Sequence, residues 1–234
     1  EAAEGLLRIV TVAPERRGAL AFIEKVAAAG VTVAIGHTGA APDLVQEAVA
    51  AGARLSTHIG NGSYTQVPRL RNYIWEQLAA DELTAGIIAD GFHLPPSVVK
   101  VFTRAKGLDH LVLVSDVALL GGCAPGVHKW GNLDVEVFPD GHLGLPGTTI
   151  LAGAGHLLDW DLAHYVTFTG LGLDEAIRLC TTNPARVLGL PESYGRLEPG
   201  APANLVLFRF QPGDERLRVE RTVCGGRELY AQPA

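Results

Sequence analysis

The feature that most constrains this chain is a rhythm. Short, nearly continuous apolar runs alternate five times with longer amphipathic segments. Residues 7–12 precede a helical pattern over 18–29, and 31–35 precede one over 42–51. Residues 54–57 lead to a helix over 72–80, and 84–88 to one that Pro95 and Pro96 open and that runs through Lys106. The purest apolar strand, 111–114, closes the series. Strands without polar alternation fit a parallel sheet covered on both faces. Repeated strand–helix steps give either an α/β barrel or a doubly wound sheet, and pattern alone does not choose between them.

After Asp116 the rhythm changes. Residues 121–148 are rich in glycine and proline and read as an excursion carrying a β-hairpin around 134–141. Helical patterns return over 151–169 and 173–182, and Asn183-Pro184 marks a break or restart. From Gly195 onward the chain is all short strands, 203–208 and 217–223 among them, with Gly225-Gly226 suited to a hairpin turn. Two regions are therefore expected: an α/β domain over 1–190 and a small β unit over 191–234.

Several function classes are disfavoured. A formal charge of -6 argues against a general nucleic-acid binder. No apolar run reaches the roughly 18 residues of a membrane helix, and the first residues lack the pattern of a signal peptide. Three widely spaced cysteines do not make a disulfide framework, so a reducing cytoplasm is expected. No glycine-rich phosphate loop joins a strand to its helix, against a doubly wound nucleotide-binding protein. The chain contains no methionine, so the sequence does not open at a translation start.

The informative polar residues recur in one place. Gly36-His37-Thr38 follows the second strand, Thr57-His58 the third, Asp90-Gly91-Phe92-His93 the fourth and Ser115-Asp116 the fifth. In parallel α/β folds the C-terminal strand ends share one face, where active sites are assembled. Imidazoles and carboxylates suit borderline divalent metals such as zinc. A carboxylate beside such a site can take a proton from water and return it to a leaving amine. Metal-assisted hydrolysis is the reaction class these residues point to. Each also has an ordinary reading: a histidine after a strand often caps a loop, and an aspartate often caps the next helix. His110, His128, His142, His156 and His164 follow no strand in this way and are taken as structural or surface residues.

In their order, Thr11-Val12-Ala13-Pro14-Glu15, Gly36-His37-Thr38, Thr57-His58, Ile87-Ile88-Ala89-Asp90-Gly91-Phe92-His93 and Leu113-Val114-Ser115-Asp116 resemble the N-acetylglucosamine-6-phosphate deacetylases. Leu151-Ala152-Gly153 and the tail segments Gly195-Arg196-Leu197-Glu198-Pro199-Gly200 and Ala203-Asn204-Leu205-Val206 extend the resemblance nearly end to end. It implies an α/β fold, the (β/α)8 TIM barrel of the amidohydrolases, with strands four to eight represented here. The tail then belongs to a small β-sandwich. It also implies deacetylation of N-acetylglucosamine 6-phosphate to glucosamine 6-phosphate and acetate.

By that resemblance His37 and His58 are metal ligands and Asp116 is the catalytic acid and base. His93 polarises the acetyl carbonyl or holds the sugar. Asn61, Gly62 and the Leu151, Ala152, Gly153 segment contact substrate, and Arg69 binds the phosphate, a task suited to a planar guanidinium. The cofactor implied is a divalent metal, zinc first, with Fe, Mn or Co as alternatives. The partners implied are a small amino sugar and a second copy of the chain in a homodimer, whose arginine reaches across.

The sequence departs from that family in three ways. The glutamate ligand of a His-Leu-Glu-Gly-Pro segment is absent and is expected upstream of residue 1. Glu15 does not match that ligand's position. After His58 the chain reads Ile59-Gly60-Asn61-Gly62-Ser63 in place of an aromatic, asparagine, alanine and methionine, and Arg69 sits in Val67-Pro68-Arg69-Leu70-Arg71 rather than a glycine-rich context. Two alternatives therefore stand: a related amidohydrolase acting on another amide or cyclic amide, and a non-catalytic barrel fragment that binds a sugar or a partner.

Overall fold

The computed structural model describes residues 3–191 and 193–233. Nine elements realise the repeating pattern: β1 (Ile9–Val12), α1 (Ala19–Ala28), β2 (Thr32–Ile35), α2 (Pro42–Ala50), β3 (Ala53–Ser56), α3 (Tyr73–Ala79), β4 (Thr84–Ile87), α4 (Pro96–Lys106) and β5 (Leu111–Leu113). The excursion follows as β6 (Gly126–Trp130), β7 (Leu133–Val137) and β8 (Leu143–Gly144), then α5 (Leu158–Thr169), α6 (Leu173–Ala176), α7 (Thr182–Val187), β9 (Leu205–Arg209), β10 (Arg218–Cys224) and β11 (Arg227–Ala231).

The first five strands form one sheet in the order β1-β2-β3-β4-β5, and β1 through β4 pair in parallel. Sequential neighbours joined by helical crossovers are what the βα repeat requires. All four residues of β4 and all three of β5 are buried, whereas β1 alternates exposed and half-buried positions. Two of the helix starts have a plain local reason. Pro42 occupies the first turn of α2, where its missing N–H costs no hydrogen bond. Asn72 caps α3: its side chain accepts from the N–H groups of Ile74 and Trp75 at 3.0 and 3.2 Å.

The chain divides into two compact units. The first comprises Glu1–Ile87, Val101–Val112 and Ile177–Glu198. Its core gathers Ile23, Val33, Ile35, Val45, Tyr73 and Leu83, and burying each large apolar side chain contributes about 1.5–3 kcal/mol. The buried Asn183 of α7 donates from Nδ2 to the carbonyls of Leu108 and Leu111, both at 2.7 Å. The second unit comprises Ile88–Lys100, Leu113–Ala176 and Pro199–Ala234. Leu120, Val135, Val137 and Leu143 form a small core there, with Ala118, Leu145 and Ala152 packed against it.

Two helical expectations are corrected. The pattern over 151–169 is helical only from Leu158, because Leu151 bridges Gly144 and Ala154 bridges Val117. The N–H of Ala154 donates to Asp116 O at 3.1 Å and its carbonyl accepts from Ala118 N–H at 2.9 Å, so the backbone there is spent on strand-like pairing. The pattern over 173–182 breaks into α6, a 3-10 turn over Ile177–Cys180, and α7. Asn183-Pro184 sits in the first turn of α7, where proline restarts a helix without loss.

The expected hairpin is present as an antiparallel β6-β7-β8 sheet. The tail is a three-stranded antiparallel sheet in the order β11-β10-β9, with Gly225 and Gly226 at the β10–β11 turn. No residue of these three strands is buried. The three cysteines form no disulfide. Among the described residues no helix is long and apolar enough to cross a membrane.

Candidate functional site

In the first unit the ends of three adjacent strands converge. The hydroxyls of Thr11 in β1 and Thr57 after β3 lie 3.0 Å apart, meeting over Gly36 at the end of β2. A Cβ at Gly36 would stand 2.7 Å from both threonines, so only glycine lets the strands close in this way. The next residue is His37. Its Nε2 lies 3.1 Å from Nε2 of His58, with the rings edge to face at 71°. His58 is buried and His37 exposed.

Both histidines have positive φ, 49° and 24°. Asp116, on the far side of β5 in the chain, has φ 54°. Among the described residues only Glu4 joins them as a non-glycine with positive φ. Such backbone costs about 1–3 kcal/mol per residue and persists where surrounding structure enforces it. Nothing in the residue pattern signals this strain, yet it falls on three residues already singled out for chemistry.

The His37 turn is tethered by Glu15. One carboxylate oxygen accepts from the Thr38 hydroxyl at 2.5 Å and the other from Gly39 N–H at 2.9 Å. Burial pushes the Glu15 carboxyl up, but these hydrogen bonds outweigh it and hold the group below the ordinary range. The Thr38 oxygen also accepts from Ala40 N–H at 3.0 Å. Glu15 is thus a brace between the ends of β1 and β2, which sequence reasoning, having compared it only with a ligand position, did not find.

Asn61 and Gly62 join the histidines. Asn61 N–H donates to His58 O at 3.0 Å, and a Cβ on Gly62 would stand 2.7 Å from His37 Nδ1. Asn61 lines a cavity of about 10 Å³ with His37, Thr38 and Tyr73, and its Nδ2 is buried without a hydrogen-bond partner. Arg69 is exposed and its carbonyl accepts from Trp75 Nε1 at 3.2 Å. Its neighbour Arg71 pairs with Asp43 at 3.5 Å.

Two imidazole nitrogens 3.1 Å apart allow one ring to donate to the other, or both lone pairs to turn on one cation. A cation bonded to each nitrogen at about 2.0–2.1 Å spans a gap of this size. The donor types suit zinc and its neighbours. The pair therefore fits two positions of a tetrahedral site. Among the described residues no group of three or more His, Cys, Asp or Glu side chains is gathered to hold a metal.

In the second unit, Asp116 is exposed, and its carbonyl accepts from Ala154 N–H in the pairing that lays the Leu151, Ala152, Gly153 segment alongside 116–118. Separately, the Asp90 carboxylate accepts from the N–H groups of Phe92 and His93, each at 2.9 Å, and from His93 Nδ1 at 2.7 Å. Burial pushes the Asp90 carboxyl up, but the His93 ring and the two amides outweigh it and hold it below the ordinary range. Since Asp90 is ionised, Nδ1 of His93 carries the proton and Nε2 is the open nitrogen.

Behind this turn lies α5. Asp161, wholly buried, accepts at Oδ1 from Ala89 N–H at 3.0 Å, while Oδ2 is buried without a partner. Burial first, and then the Asp90 charge, raises its carboxyl to about 8. Trp160 Nε1 donates to Asp90 O at 3.0 Å. Its ring is stacked between His156 and His164, at 4.0 and 4.4 Å between centroids. His142 stacks on Phe138 at 4.0 Å and pairs with Asp140 at 2.6 Å. Sequence reasoning missed Trp160 and Asp161; a charged residue four positions before the buried Tyr165, on one helical face, was the available sign.

Comparison with known proteins places this geometry among relatives. Residues 9–229 match the model of the Amidohydrolase family. The chain is 34% identical over 233 residues to N-acetylglucosamine-6-phosphate deacetylase of Bos taurus, covering 96% of this chain and 54% of that protein. Its structure is similar to crystalline N-acetyl-D-glucosamine-6-phosphate deacetylase from Mycobacterium smegmatis, with a TM-score of 0.85, 33% identity, and coverage of 98% of this chain and 60% of that one. A mutant of the M. smegmatis protein in complex with N-acetyl-D-glucosamine-6-phosphate gives a TM-score of 0.84 at 33% identity, covering 97% and 58%. The chain spans about half the length of the curated relatives it matches.

Proposed function

Because the chain belongs to the amidohydrolase family, we propose that it takes part in metal-dependent amide hydrolysis, the deacetylation of N-acetylglucosamine 6-phosphate to glucosamine 6-phosphate and acetate. The observation that carries this reading is the positive φ of His37, His58 and Asp116, the three residues to which ligand and acid–base roles were assigned. Strain held at chosen polar residues is a mark of a working site.

In this reading His37 and His58 would hold a divalent ion, zinc first, through their imidazole nitrogens. A bound ion of this kind supplies Lewis acidity, under which water ionises near neutral pH. Asp116 accepts a proton from the attacking water and delivers it to the leaving amine nitrogen. His93, its Nδ1–H tied to Asp90, presents Nε2 to the acetyl carbonyl or a sugar hydroxyl. Asn61, Gly62 and the Leu151, Ala152, Gly153 segment line the sugar, and Arg69, whose exposed guanidinium is available for a bidentate contact, takes the 6-phosphate.

The finer architecture belongs to the same proposal. The parallel β1–β5 sheet stands for strands four to eight of a (β/α)8 barrel over 1–190, and the β9–β11 sheet over 191–234 is part of a β-sandwich, its unburied strands leaving a face for a second layer. The cytoplasmic setting is supported by three cysteines without disulfides, and the homodimer by the family resemblance.

Metal content tests the reading. Zinc titrated onto the purified chain, in competition with a chromophoric chelator, is expected to bind, and to bind more weakly in His37→Ala and His58→Ala with the fold intact by circular dichroism. Affinity unchanged in both variants sinks the assignment. Release of acetate from N-acetylglucosamine 6-phosphate, but not from a cyclic amide such as a dihydropyrimidine, separates the deacetylase from its nearest alternative.

A further inference from the structure

The first turn of α5 is built against the backbone that carries His93. Ala89 has no exposed surface, and its N–H lies just beyond the end of β4. A buried amide there needs an acceptor, and Asp161 Oδ1 provides it across 72 residues of sequence. The following carbonyl, Asp90 O, receives the Trp160 indole N–H. Adjacent residues of one helix thus hold adjacent residues of one turn, by one acceptor and one donor.

Neither side chain is free to drift. The Trp160 ring is sandwiched between His156 and His164, and the Arg216 guanidinium lies 5.3 Å from its centroid. Asp161 is enclosed beside the apolar Leu162, Ala163 and Tyr165, all buried. A carboxyl group in such a position is less favourable than an apolar side chain unless its hydrogen bond has a use. The turn then passes the constraint on: Asp90 takes two backbone amides and His93 Nδ1 in one carboxylate.

We propose that Trp160 and Asp161 are positioning residues for His93, fixing the Ala89-Asp90 backbone so that the Asp90 carboxylate locks the ring's rotation and tautomer. This rests on the reading of His93 as the residue that faces the substrate. With its carboxyl raised to about 8 by burial and then by Asp90, Asp161 is chiefly the neutral acid at pH 7, so it grips the amide without repelling the Asp90 charge.

The experiment is proton–nitrogen NMR of histidine-labelled chain, read beside kinetics on N-acetylglucosamine 6-phosphate. The wild type is expected to show a downfield Nδ1 proton that disappears in His93→Gln and so belongs to His93. Asp161→Leu is expected to broaden or remove it and to lower kcat by about 10- to 100-fold with KM little changed, the signature of misplacement rather than lost binding. Asp161→Asn keeps an acceptor for Ala89 N–H and is expected to restore both. Trp160→Phe keeps the stack, removes the donor, and is expected to act in the same direction; it decides the matter if Asp161→Leu fails to fold. A signal and kcat that survive both Asp161→Leu and Trp160→Phe in folded protein overturn the proposal. If the signal depends on Asp161 but the wild type releases no acetate, positioning stands and the deacetylase reading falls.

Discussion

His37 and His93 both follow strands of the parallel sheet, and the chain holds them by different means. His37 sits in left-handed backbone, exposed, with a glycine cramped before it and a carboxylate brace one residue beyond. His93 sits on a turn whose non-glycine residues keep negative φ, its side chain 7% exposed and its ring tied to a buried aspartate. The first arrangement leaves Nε2 beside a second imidazole; the second commits Nδ1 and leaves Nε2 open. On the proposed reading His37 and His58 are a ligand pair, which needs lone pairs held at a set separation, and the left-handed backbone at both residues serves to hold it. On the same reading His93 orients or polarises a substrate, which needs a fixed tautomer, and the buried Asp90 carboxylate provides it.

The buried carboxyl behind His93 gives the largest expected effect. Above about pH 4 the unfolded chain releases the Asp161 proton, while the folded protein keeps it to about pH 8. The folded state therefore binds more protons across that window, so stability falls as pH rises through it and levels off above. Asp161→Asn removes this slope. Facing Asp161 are Asp90, whose charge adds to the effect, and Asp159 on the same helix. The variant is expected to match the wild type near pH 4 and to exceed it at pH 8 by an amount on the order of a few kcal/mol, read as a difference in melting temperature. A difference that does not change with pH would show that Asp161 is ionised in the folded protein, and would place both histidine turns in the same class.

Glu15 sharpens the other side. If strain alone set His37, losing the brace would leave metal affinity unchanged. Because Glu15 joins Thr38 and Gly39, Glu15→Ala is expected to weaken zinc binding by about 10- to 100-fold, the usual cost of losing a group that orients a ligand. Competition against a chromophoric chelator measures it. Unchanged affinity would make the β2 backbone and Gly36 the whole of the support.

The parts of this molecule that could be read from sequence are those that repeat. The βα rhythm located β1–β5 within a residue or two, and the polar residues that follow β2 to β5 drew attention to His37, His58, His93 and Asp116 before any geometry was known. What it missed was set by contacts distant in sequence. The Ala89–Asp161 hydrogen bond has no local signature, and Asp161 within a helical pattern looks like any solvated aspartate. The segment 151–157 read as helix because its apolar residues suit one; its backbone instead pairs with Gly144 and 116–118, which propensity cannot anticipate. Glu15 was visible as a residue but not as a brace, since its partners lie one strand away.

The smallest effect tests the strain directly. A left-handed φ costs a residue with a Cβ about 1–2 kcal/mol that glycine escapes. Part of that gain is offset because glycine loses more freedom on folding. At position 37, where φ is 49°, His37→Gly is therefore expected to be more stable than His37→Ala by about 1 kcal/mol, or roughly 2–4 °C in melting temperature for a chain of this size. Neither variant has the imidazole, so the comparison isolates the backbone from the metal. At position 93 the order reverses, since the backbone there is ordinary and glycine brings only its entropic cost. Equal stability of the two His37 variants would mean that the turn relaxes once the ring is gone. The left-handed backbone would then be a consequence of the His37–His58 contact and not the device that creates it.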